Sequence, residues 1–256
     1  HLVELERNVE KRVTRGGTEA KPHGLAEFVA QEEMSRFSGF WFSPDGKSLV
    51  FQETDHAGME QLGIADPMRP EAQPERFFYP RPGKPNATVK LLLTGVGGGK
   101  VSSISWDAEA FPYLATVKWP TAGPLTLVVQ NREQTKEQVL KVDPKTGKTT
   151  VLLSEEDSAW LNLAQEFPRW LPDGSGFFWM TEKNGGPQIE LRAADGGYRA
   201  TWVKAAARYG AAARVEGGFS EVVGYDEASR ALWFLGEGTR PRPTSTGRRR
   251  AESPSG

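Results

Sequence analysis

The stretch FWFSPDGKSLVFQ at residues 40 to 52 returns as FPRWLPDGSGFFWM at 167 to 180. In each, an aromatic strand reaches a Pro-Asp-Gly turn, where proline presets φ and glycine permits a positive φ, and a second apolar strand follows. Such a unit predicts an antiparallel hairpin, and its return predicts a repeat. Looser copies, ISWDAEAFPYLATV around Asp107 and VVGYDEASRALWFL around Asp226, put the turn aspartates Asp45, Asp107, Asp173 and Asp226 at intervals of 62, 66 and 53 residues. A second hairpin type alternates with the first, as LVELERNVEKRVTRGG at 2 to 17, LKVDPKTGKTTVLLS at 140 to 154 and IELRAADGGYRATW at 189 to 202. Two hairpins per repeat make a four-stranded sheet, and repeats of about 40 to 60 residues built this way mark a β-propeller.

The sequence therefore predicts an all-β chain, a partial β-propeller of about four four-stranded antiparallel blades over residues 1–238 with both end blades incomplete. Blades bury their faces against neighbours, so a partial ring leaves its first and last sheets uncovered, and the chain reads as part of a larger propeller. A β-sandwich also alternates strands with turns, but it does not require the same turn in the same aromatic frame. From Thr239 to Gly256 the composition changes to five arginines, three prolines and one acid. That composition predicts a disordered tail, and the abrupt break in ALWFLGEG fits a shifted reading frame.

The formal net charge of −1 over 256 residues makes no case for nucleic acid or an anionic membrane as a partner. The absence of cysteine excludes disulfides, thiolate nucleophiles and cysteine metal sites. No apolar run long enough to span a membrane occurs, and the first residues are charged throughout, without a signal-peptide core. Localisation stays open between periplasm and cytoplasm. His23 and His56 stand without a clear third ligand, so no metal is expected, and no cofactor motif is complete. GVGGGKV at 95 to 101 lacks the residues of a phosphate loop and reads as a connection between strands.

Ahead of the first aromatic strand, LAEFVAQEEM breaks the β pattern, and Ala26 to Met34 are good helix formers. A short helical insertion is expected there, carrying Glu32 and Glu33. On a strand these two point to opposite faces; on a helix they sit about 100° apart and can converge on one cation. Their mutual repulsion favours such a cation.

LAEFVAQEEMSRFSGFWFSPDGKSLVFQETD resembles the double-glutamate region of the dipeptidyl peptidase IV family of serine peptidases. YPRPGKPNATVKLLL, residues 79 to 93, resembles that family's tyrosine-proline-lysine/arginine stretch ending in an asparagine-containing strand. The likeness covers roughly residues 1 to 200 and is densest from 23 to 93. It implies an eight-bladed propeller capping an α/β-hydrolase domain, with Glu32 and Glu33 binding the free α-amino group of a peptide substrate. The implied partners are the peptide N-terminus and, in the intact parent, the α/β-hydrolase domain; the resemblance also allows a homodimeric parent. The family's upstream assisting arginine has no counterpart here.

A serine peptidase of that fold needs a Gly-x-Ser-x-Gly elbow followed by an acid and a histidine. The nearest string, GFSEV at 218 to 222, lacks the last glycine, and none of His1, His23 and His56 follows a candidate serine. The expected function is amino-terminus recognition in a dipeptidyl peptidase IV-like enzyme by a chain that holds no catalytic residue and is inactive alone. The alternative is a self-sufficient, non-catalytic binding propeller.

Overall fold

A computed structural model of the chain describes residues 1–204, 219–226, 228–229, 231–236 and 247–252. β1 (Leu2–Glu4) and β2 (Val9–Lys11) form an antiparallel hairpin, followed by the single helix of the described residues, α1 (Phe28–Glu33). The first four-stranded sheet runs in the order β3 (Phe40–Phe42), β4 (Ser48–Asp55), β7 (Thr88–Gly95), β8 (Ser102–Ile104). Between β4 and β7 the chain detours into a separate hairpin, β5 (Glu60–Ile64) and β6 (Glu75–Tyr79). The second sheet comprises β9 (Tyr113–Lys118), β10 (Thr126–Gln130), β11 (Lys136–Val142) and β12 (Thr149–Glu156) in chain order. The third repeats that order with β13 (Arg169–Trp170), β14 (Gly176–Thr181), β15 (Gln188–Ala193) and β16 (Tyr198–Val203). β17 (Phe219–Asp226), β18 (Ala231–Gly236) and β19 (Gly247–Glu252) make a three-stranded sheet. Three full antiparallel blades flanked by incomplete ones form the partial propeller.

Both Pro-Asp-Gly turns close the hairpins expected of them, with the aspartate folding the turn from within. Asp45 Oδ1 accepts from Ser43 Oγ at 2.6 Å and from the Lys47 amide at 3.1 Å, and Asp173 Oδ1 accepts from the Ser175 amide at 2.9 Å. Asp107 behaves differently. Its turn links β8 to β9, two separate sheets, and the second blade makes its first hairpin through residues 119–125 instead. WDAEAF lacks the Pro-x-Gly geometry that tight hairpins need, so its aspartate matched the repeat in position only.

The expected disordered tail also differs in part. Residues 247–252 pair with β18 from Gly236↔Gly247 to Ala231↔Glu252, because main-chain hydrogen bonds build an edge strand irrespective of side-chain composition. The rest of that segment, and Gly218 of the GFSEV string, lie outside the described residues. Ser220 sits on a strand rather than at a strand-to-helix turn.

The second sheet is apolar on both faces. Leu127 and Val129 of β10 join Val50, Leu91, Leu114 and Leu140 in a cluster shared with the first sheet. Val128 points the other way, into a cluster with Phe167, Phe177, Phe178 and Trp202 of the third-blade region. The outer hairpins seal the same joints. Gly147 (φ +72°) lies so close to the preceding blade that a Cβ there would stand 2.1 Å from the Ser103 carbonyl oxygen, and at Gly196 (φ +93°) a Cβ would stand 1.7 Å from that of Leu152.

One buried group works against this packing. Glu137 lies directly across from Glu155 on neighbouring strands, and both carboxyls are pushed up, chiefly by burial; Glu137 reaches about 7 from an ordinary 4.5. Between those values the folded chain keeps a proton that the unfolded chain has released, so stability falls as pH rises through that window and levels off above it.

Two stability measurements follow. Gly147→Ala and Gly196→Ala should each lower unfolding free energy by about 3 kcal/mol through overpacking and backbone strain. Gly83→Ala, with φ +76° but nothing within 4 Å, should cost only about 1 kcal/mol. Urea unfolding should show the wild type about 2 to 3 kcal/mol less stable at pH 8 than at pH 5 from Glu137, a difference that Glu137→Gln removes.

Candidate functional site

Six residues are too few for a helix to persist on its own, so α1 depends on what holds it. Ala30 and Met34 are buried, and Met34 reaches the cluster shared by the second and third blades. Phe28 meets Tyr79 of β6 edge to face, with ring centroids 5.0 Å apart. The YPRPGK stretch thus begins against the glutamate helix, and further along it Asn86 Nδ2 donates to the Tyr113 hydroxyl at 3.0 Å.

Glu27, at the N-cap, does not cap the helix with its side chain. Its buried carboxylate instead accepts from Arg36 Nη2 at 3.1 Å and from Gln52 Nε2 at 2.6 Å. Arg36 also donates through Nε to the Leu114 carbonyl at 3.1 Å and through Nη1 to that of Ser38 at 2.9 Å, and its guanidinium lies 5.8 Å from the Trp41 ring centroid. Burial pushes the Arg36 pKa down, and Glu27 opposes it. Ser35 turns the chain out of the helix with φ +51°. Gln165, from the link between second and third blades, then ties the helix end: Nε2 donates to the Met34 carbonyl at 2.5 Å and to that of Ala115 at 2.9 Å, while Oε1 accepts from Thr116 Oγ1 at 2.9 Å.

Glu32 and Glu33 are the last two residues of α1, and both are exposed. Neither has a hydrogen bond or ion pair among the described residues, and no basic residue stands in the last helical turn. The C-terminal end of a helix already carries partial negative charge, so two carboxylates there create a site receptive to a cation. Of their sequence neighbours, Phe37 is 70% exposed, whereas Arg36 is structural.

Glu32 and Glu33 stand out in the sequence, whereas the residues that hold their helix do not. Glu27, Gln52 and Gln165 carried no spacing signal, and Gln165 acts on a residue 131 positions away. The histidines lie apart: His1 contacts Glu10, His23 Nε2 is 3.1 Å from Glu53 Oε2, and His56 stacks on Phe78. Among the described residues no three acidic or histidine side chains gather as a metal site.

The chain matches the family described as the dipeptidyl peptidase IV (DPP IV) N-terminal region over residues 1–246. Dipeptidyl peptidase 8 of Mus musculus is 28% identical over 144 residues, covering 48% of this chain and 16% of that protein. A probable dipeptidyl-aminopeptidase B of Colletotrichum graminicola is 30% identical over 179 residues, covering 60% of this chain and 19% of that one. The crystal structure of Porphyromonas gingivalis dipeptidyl peptidase 4 superposes with a TM-score of 0.73 at 20% identity, over 91% of this chain and 32% of that chain, a likeness of fold. The chain thus spans less than a fifth of these two curated relatives.

The geometry separates structural charge from available charge. Arg36→Ala should cost about 3 to 5 kcal/mol, because Glu27 would be left buried without its cation. Glu32→Ala and Glu33→Ala should each stay within about 0.5 kcal/mol of wild type in urea unfolding.

Proposed function

The chain belongs to the family of dipeptidyl peptidase IV N-terminal regions, and on that premise we propose that it is the recognition part of a dipeptidyl peptidase. In this reading Glu32 and Glu33 hold the free α-amino group of a peptide, while an α/β-hydrolase domain of the intact protein supplies the serine nucleophile and its histidine base. The observation that carries it is the pair of exposed, unpartnered carboxylates on a helix whose remaining contacts all fix its position.

An α-ammonium with a pKa of about 7.7 to 8.0 is largely charged at neutral pH and offers three donors to the two carboxylates. A charge-assisted hydrogen bond contributes about 1.5 to 3 kcal/mol, enough to orient a short peptide by its end. Holding that end at a fixed point decides which peptide bond reaches the nucleophile, so the pair acts as a ruler. The rest of the constellation positions it: Gln165 and Met34 fix the helix end, and Arg36 with Glu27 fixes its approach.

Calorimetric titration of the chain with a proline-containing dipeptide amide tests the reading. The free-amine form should bind, its N-acetylated form should not, and Glu32→Gln or Glu33→Gln should each weaken binding about tenfold or more. Affinity should also decline above about pH 8 as the ligand amine loses its proton. Equal binding of the free and acetylated forms would contradict the assignment.

A further inference from the structure

A second site of opposite character lies where the three full blades converge. Trp41 of β3, Trp119 directly after β9 and Trp170 of β13 wall one hollow of about 560 Å3. These strands begin the three successive sheets, and in a propeller the converging edge strands line the central channel, so the hollow opens on that channel. Its walls are fixed. The Trp170 indole N–H donates to Thr126 Oγ1 at 3.0 Å, and Arg36 lies against the Trp41 ring.

Lys118 and Arg169 contribute cations to this hollow, and Glu166 is its one acid. Lys118 is partly buried, yet its ammonium has no hydrogen bond or ion pair among the described residues. Burial pushes its pKa down, Glu166 opposes, and Arg169 pushes further down. An ammonium that has lost part of its hydration beside aromatic walls and a second cation, with Glu166 offsetting only one of the two positive charges, is stabilised by an incoming anion.

We propose that this hollow is a carboxylate-binding site, with Lys118 as the primary contact, for an acidic side chain or C-terminus of a peptide in the propeller channel. Its ligand carries the charge opposite to the group that Glu32 and Glu33 receive. The two sites are therefore tested independently.

Three of the chain's eight tryptophans line the hollow, so a ligand entering it should alter the tryptophan emission. Three N-acetylated tripeptides serve as probes: one with a free C-terminal carboxylate, its C-terminal amide, and an amide with one glutamate side chain. Acetylation removes the α-amine, so the glutamate pair contributes nothing to any of them.

At least one carboxylate-bearing probe should give a saturable emission change, about tenfold tighter than the uncharged amide and weaker at higher salt. Lys118→Met, checked by unaltered thermal melting, should lose about tenfold or more, and Lys118→Arg should stay within about threefold of wild type. Preference for the free C-terminus identifies a chain end as ligand; preference for the glutamate probe identifies an acidic side chain. Equal binding of charged and uncharged probes, no saturable change, or undiminished binding by Lys118→Met would overturn the site.

Discussion

A four-stranded sheet with two apolar faces has no stable existence in water alone, and the second blade of this chain is such a sheet. β10 sends Leu127 and Val129 into one cluster and Val128 into the other, with all three at or near complete burial. Covering both faces requires a blade on each side, and a twisted sheet stacked on a twisted sheet turns the chain about an axis. The close approaches at Gly147 and Gly196 repeat the same joint one blade apart. Met34 enters the second of these joints, and Gln165 crosses it, so the glutamate helix is anchored where two blades meet.

The charges divide into two populations. The buried ones are matched except Glu137, which lies across from Glu155: Glu27 pairs with Arg36, and Glu190 with Lys183 at 2.6 Å and with Arg192 beside it. Such pairs fix geometry more than they add stability. Glu32 and Glu33 are unmatched, adjacent, and at the helix end where negative charge is least favourable. Two unmatched carboxylates at a helix end oppose local stability, an arrangement that the proposed amine site would put to use. The Lys118 hollow presents the converse, a partly buried cation between fixed aromatic walls, with two cations to one acid in its lining.

Most of the fold was legible because it is written locally. The Pro-Asp-Gly hairpins, the alternating second hairpins and the short helix each depend on neighbours a few residues apart, and they formed where composition put them. Asp107 misled because an aspartate turn between strands looks alike whether those strands share a sheet or not. The β5–β6 detour left no signal beyond its aromatic strand, and the pairing of β19 rests on backbone groups that composition does not reveal. At the site, the glutamate pair was legible through its likeness to a family. Its supports were not, because a glutamine that bonds two carbonyl groups across a blade junction is indistinguishable in sequence from one in solvent.

In the proposed function, a rigidly held helix end presents Glu32 and Glu33 to a peptide amine. A crystal structure of the chain soaked with a dipeptide amide tests it most directly. The account predicts the α-ammonium within about 3 Å of carboxylate oxygens from both residues, with α1 unmoved. An amine bound elsewhere, or a site formed only after α1 leaves Gln165, would contradict it.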